Sequence, residues 1–134
     1  MDKPFNSSFS FELKKTSSNT MSGNIIPRLP VSKEGAVDFI AYEDILYIRV
    51  KEKETHILTH SETYICEESL RSLVERLGNS GFIKCHRNYM VNLNKIDKIT
   101  HWNNGVYLLY FKEIEENIPV NRNYYKNLKK ALQL

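Results

Sequence analysis

Between Phe82 and Asn92 the chain reads FIKCHRNYMVN, its densest cluster of groups able to do chemistry. Lys84, His86, Arg87 and Asn88 supply cationic and hydrogen-bonding groups in one short run. That run leads into the apolar, strand-like Tyr89-Met90-Val91. Three kinds of chemistry compete for it. Nucleophilic catalysis would need a thiolate–imidazole pair, but adjacent residues of an extended chain, here Cys85 and His86, are expected to point to opposite faces. No phosphate-binding, dinucleotide-binding or nucleophile-elbow motif accompanies them, so the chain is not read as an enzyme. Metal binding fares no better. His56 and His60 share a strand face, but their separation in extended chain is about 13 Å, far beyond two ligand bonds of about 2 Å. His101 stands alone beside Trp102, and no metal or other cofactor is expected.

Nucleic acid fits better. Lys84, Arg87 and Asn88 can all donate to phosphate, and Arg and Asn side chains can also read base edges bidentately. A second set, Asn121, Arg122, Asn123 and Lys126, falls at the start of a helix, where backbone N–H groups favour anions. A third is the hairpin tip around Lys53, diluted by Glu52 and Glu54. Each set alone has a plain structural explanation, since exposed tips are polar and Asn121 is a natural helix cap. Eight tyrosines and Trp102 also leave single-stranded nucleic acid open as a ligand, by base stacking.

Charge supports a polyanion. The net charge of +3 is small, but residues 36–81 hold five basic against nine acidic residues, and residues 82–134 hold nine against four. Such asymmetry favours docking by one face. At 134 residues and 41% apolar content the chain suits one domain with a tail. No apolar run of about 18 residues suggests a membrane span, and no leader-like block opens the chain. Cys66 and Cys85 are too few for a disulfide framework, which points to a reducing, cytoplasmic setting.

The elements that must position these residues follow from pattern. Residues 1–22, rich in Ser, Asn and Thr, read as a flexible extension, with Phe9-Ser10-Phe11-Glu12-Leu13 a short alternating stretch. A domain over 23–134 follows. Strands are expected at Asn24–Leu29, Val37–Tyr42, Ile45–Val50, Thr55–His60 and Glu62–Cys66, with Ile45, Tyr47 and Arg49 on one face of the third. Leu70, Leu73, Val74 and Leu77 at i, i+3, i+4 and i+7 predict a helix over Glu67–Leu77, with Glu67 and Glu68 in its first turn and Gly78 as a left-handed stop. More strands are expected at Tyr89–Leu93, Lys95–His101, Val106–Phe111 and Glu113–Val120, with Asn103-Asn104-Gly105 a tight hairpin turn. Asn121 should cap a last helix, Arg122–Leu132.

At this point the sequence resembles the LytTR-type DNA-binding domain, an effector module of bacterial response regulators in two-component systems. The matching stretches are DILYIRV (Asp44–Val50), SLRSLVERL (Ser69–Leu77), FIKCHRNYMVNLNKIDKI (Phe82–Ile99) and IPVNR (Ile118–Arg122) with its Lys-rich helix. They stand in the family's order over roughly residues 23–134, and the Phe82–Asn92 block is the most specific. The resemblance implies a mostly β (α+β) fold, elongated, of small antiparallel sheets with one central helix and a short C-terminal helix. It implies loops in the major groove of double-stranded DNA at paired direct repeats, and hence transcription regulation. Arg122 is then the candidate base reader. Arg87 and Asn88 form a second groove-facing loop, and Lys53, Thr55 and His56 a third. Lys84 and Lys126 become phosphate contacts, beside Asn121 and Asn123. His86 belongs to the motif as a DNA contact or as a structural hydrogen-bonder. Many members carry Ser where this chain has Asn88 and Asn121. Most also carry a phosphoacceptor domain ahead of the DNA-binding domain, whereas only a short extension precedes it here: a stand-alone regulator or a fragment of a longer one is implied, and the first residues favour the stand-alone form. Partners would be duplex DNA and a second copy or another regulator, with no membrane and no small-molecule substrate. An interaction module that binds or restrains a related regulator is the rival reading, motivated by Phe5, Phe9 and Phe11 and the acidic first half.

Overall fold

A computed structural model describes residues 27–134. The expected extension over residues 1–22, and residues 24–26 of the first expected strand, lie outside them. In chain order the elements are β1 (Arg28–Lys33), β2 (Ala36–Ala41), β3 (Tyr47–Lys51), β4 (Glu54–Leu58), β5 (Thr63–Cys66), α1 (Leu70–Leu77), β6 (Phe82–His86), β7 (Tyr89–Asn92), β8 (Ile96–Asn103), β9 (Val106–Phe111), β10 (Asn117–Val120) and α2 (Arg122–Leu132).

All registered strand pairs are antiparallel, in a seven-stranded sheet ordered β2-β1-β5-β4-β3-β7-β6 and a three-stranded sheet ordered β10-β9-β8. The mostly β architecture with two helices among the described residues is as expected, although the larger sheet exceeds the small sheets anticipated. Two cores flank the large sheet. On one face α1 buries Leu70, Leu73 and Leu77 against Leu29, Val31, Ile48, Ile57, Phe82 and Met90. On the other, Tyr47, Leu58, Cys85 and Val91 meet Leu109, Phe111, Ile118, Val120 and Leu128 of the small sheet and α2. Tyr47 and Ile48 are both buried, as the two-sided apolar pattern of β3 required. Burying a leucine or isoleucine of this size contributes about 1.5–3 kcal/mol, so these two seams carry most of the cohesion.

Four local expectations need correction. The first strand is Arg28–Lys33 and runs through Pro30. A proline is tolerable there because β1 meets β5 at one registered pair, Ser32–Ile65. Ile45 does not share the face of Tyr47. It precedes β3 and packs in the α1 core, and the alternation breaks between Leu46 and Tyr47, which both enter the second core. Helix α1 begins later than expected, with Ser69 as N-cap accepting from Ser72 N–H at 3.0 Å. Glu68 therefore lies outside the helix and instead binds Arg76 Nη2 at 2.6 Å and Ser72 Oγ at 2.8 Å. Gly78 is right-handed, at φ −62°. Glycine serves close approach there, since an added Cβ would sit 2.7 Å from the Val74 carbonyl oxygen.

The turns themselves form as patterned. Glu34-Gly35, Glu52-Lys53 and Asn104-Gly105 all take positive φ at both positions, the geometry of the tightest hairpins.

Candidate nucleic-acid interface

Hairpin β6–β7 makes Arg87 and Asn88 its exposed two-residue tip, while Lys84 and His86 belong to β6 itself. The pairing is irregular: Lys84 faces Met90 and His86 faces Tyr89, leaving Cys85 as an extra residue in a β-bulge. Registered partners share a sheet face. Met90 lies in the α1 core, whereas Tyr89 packs toward the second core. Lys84 and His86 therefore sit on opposite faces, although two residues apart in a regular strand would share one.

The bulge also overturns the expectation that Cys85 and His86 diverge. Cys85 is buried in the second core, and the His86 ring lies 5.3 Å from that of Tyr89 on the same side. They still make no catalytic pair. The thiol is directed at the Tyr89 carbonyl (3.9 Å), and burial pushes its pKa up to about 12. The imidazole Nδ1 accepts the Asn88 N–H at 3.1 Å, which places the ring proton on Nε2. Burial holds His86 below its ordinary pKa, in keeping with a neutral acceptor that shapes the turn.

The Asn88 carbonyl in turn accepts Val50 N–H at 2.9 Å. This bond fixes the Arg87-Asn88 tip beside the end of β3, next to the exposed Glu52-Lys53 turn. Two of the three candidate loops are thus brought together at one end of the large sheet.

His56, Arg49, Tyr89 and His86 form a continuous cross-strand row over β4, β3, β7 and β6. Arg49 Nε donates to His56 Nδ1 at 3.3 Å, and His56 Nε2 meets Glu54 Oε1 at 3.2 Å. Both imidazole nitrogens of His56 are engaged within the protein. Arg49 and Tyr89 were not singled out in the sequence, yet register puts them between the two candidate histidines. Adding the strand pairings to the alternation of each strand is the signal that would have found them. Thr55 is corrected outright. It is only 7% exposed, across from Cys66 on the α1 side, and is largely withdrawn from the surface beside Lys53.

The third candidate loop is built separately. Asn121 Oδ1 accepts Tyr124 N–H at 3.1 Å and caps α2, so the cap proposed from sequence is present and that oxygen is committed to it. Arg122, Asn123 and Lys126 are exposed in the first turns of α2. Tyr125 stacks on Tyr107 of β9, with ring centroids 3.6 Å apart and planes at 13°, which pins α2 to the small sheet. A shallow cavity is lined by Asn104, Gly105, Val106, Asn121, Arg122 and Asn123. Three asparagines and Arg122 bring hydrogen-bonding groups to its rim, beside the apolar Val106.

Residues 36–133 match the family model of the LytTr DNA-binding domain. The chain is 29% identical over 127 residues to the transcriptional regulatory protein YpdB of Escherichia coli O6:H1, a match spanning 92% of this chain and 52% of that protein. It is 33% identical over 107 residues to the sensory transduction protein LytT of Bacillus anthracis, spanning 80% and 43% respectively. The chain thus spans about half the length of these curated relatives. A solved LytTr DNA-binding domain from Bacillus cereus shares the fold, with a TM-score of 0.74 at 24% identity over 80% of this chain and 97% of that one.

Proposed function

We propose a function from the premise that this chain belongs to the LytTr DNA-binding domain family: it binds double-stranded DNA sequence-specifically, as part of a bacterial transcription regulator. The observation that carries the reading is the Val50–Asn88 backbone bond, which holds the cationic Arg87-Asn88 turn and the mixed-charge Glu52-Lys53 turn side by side at one end of the large sheet. A rigid pair of loops at a strand end is a device for presenting side chains to a groove.

On this reading Arg122 reads a base edge, Arg87 and Asn88 enter the groove as a second loop, and Lys53 with His56 forms a third. Lys84, on the edge strand β6, and Lys126, on α2, neutralise phosphates, while Asn121 and Asn123 flank Arg122. His86 acts mainly by shaping the Arg87-Asn88 turn. Thr55 has no part. Arg49 joins the surface through its bond to His56. The binding reaction uses no cofactor and no catalytic step. Two copies occupy paired direct repeats in the cytoplasm; among the described residues no helix is long and apolar enough to cross a membrane.

Competition between duplex and single strand of one sequence tests the proposal. The duplex should win, and its log K should fall linearly with log salt as counterions are released. Absence of duplex binding at low salt, or preference for the single strand, would overturn it.

A further inference from the structure

Arg122 rests against a glycine. A Cβ built on Gly105, the second residue of the β8–β9 turn, would lie 2.7 Å from Arg122 Nε, 3.0 Å from Nη2 and 3.2 Å from Cζ. Non-bonded heavy atoms settle at about 3.5–4.0 Å, so any side chain at this position would collide with the guanidinium. The clash involves the far end of a flexible, exposed side chain, with no backbone atom among the three nearest contacts. A residue larger than glycine would therefore displace the guanidinium and leave the hairpin in place.

The rest of the environment makes this contact a seat. The Asn121 cap fixes the backbone where Arg122 begins the helix. The Tyr107–Tyr125 stack holds α2 against β9, the strand that starts one residue after Gly105. The pair Val120–Tyr107 brings the end of β10, just before the cap, beside the same stretch of β9. The stem of Arg122 is thus placed by the capped start of α2, and its tip lies against the β8–β9 turn. Holding a long side chain in one geometry lowers the entropy lost when it makes bidentate hydrogen bonds.

We infer that Gly105 is a specificity-determining positioning residue: its bare backbone seats the Arg122 guanidinium and aims it at the base that Arg122 reads. The inference rests on the base-reading role proposed for Arg122 and adds the β8–β9 turn to the recognition machinery.

Discrimination between a selected duplex and single-base variants of it tests both. Gly105→Ala should reduce discrimination at the Arg122 position by about tenfold, within the range that one bidentate base contact supplies, and leave the other positions alone. Gly35→Ala is the control, because Gly35 has a similar φ of +83° against +81° but nothing within 4 Å of its added Cβ. It should show the backbone strain, read as a lowered unfolding midpoint, with discrimination intact. Gly105→Asn adds the same Cβ while tolerating positive φ, so it serves if the alanine variant folds poorly. In an Arg122→Ala background, Gly105→Ala should cause no further loss. Discrimination retained in Gly105→Asn, or lost equally with and without Arg122, would overturn the positioning role. If Arg122→Ala itself leaves discrimination unchanged, the base-reading assignment fails and this inference falls with it.

Discussion

Among single residues, Arg122 and Lys126 separate the two parts of the proposed binding. Both are exposed on the first turns of α2. A bidentate base contact is worth about 1–3 kcal/mol of discrimination, so Arg122→Ala should weaken the preferred site by that much and relax the choice of base there. Lys126→Ala should weaken all duplexes alike. Fluorescence anisotropy on matched and mismatched duplexes reads the difference. His86 offers an independent check on the Arg87-Asn88 turn. Burial lowers its folded pKa, so the unfolded chain takes up the proton first as pH falls. The stability contributed by the neutral ring is therefore full above its ordinary value of about 6.5 and is lost as pH falls through the folded value. An NMR titration should give His86 a midpoint below that of a free histidine. The Asn88 amide should shift with it, because protonation removes its Nδ1 acceptor. A raised midpoint would contradict the assignment.

Elements were legible where local chemistry decides them. Helix α2 has the bounds and the cap that Asn121 announced, and Asn104-Gly105 makes the expected turn. What sequence could not show depends on partners distant in the chain. Strand order joins β1 to β5 and β3 to β7 across long intervals. The bulge at Cys85 is set by the register against β7: alternation already sends Ile83 and Cys85 into the second core, and the extra residue brings His86 to that same face, opposite Tyr89. Thr55 looked like a loop-tip contact until the pairing of β4 with β5 buried it. Asn92 shows the same limit. It closes the Phe82–Asn92 motif, yet it is 3% exposed and donates through Nδ2 to the Ile45 carbonyl at 2.9 Å, tying the chain before β3 to the end of β7. Asn92→Ala would leave that buried carbonyl without this donor. It should cost about 1–3 kcal/mol in chemical denaturation, with little effect on which DNA sequence is chosen. Loss of sequence preference at unchanged stability would contradict a structural role.

In the whole molecule, α1 and the small sheet clamp opposite faces of one seven-stranded sheet, and the candidate loops occupy its free turns and the start of α2. The basic second half of the chain supplies most of the candidate cations, which makes binding a polyelectrolyte reaction. The slope of log K against log salt should flatten by about one for each phosphate-contacting lysine removed, Lys84 and Lys126 alike. The claim on which all of this depends is that the assembled loops read duplex sequence. Selection of bound molecules from a random duplex pool at fixed salt tests it most directly. Two short direct repeats at constant spacing should be enriched, with the repeat degraded at one position by Arg122→Ala. A pool that emerges without any enriched sequence would contradict it.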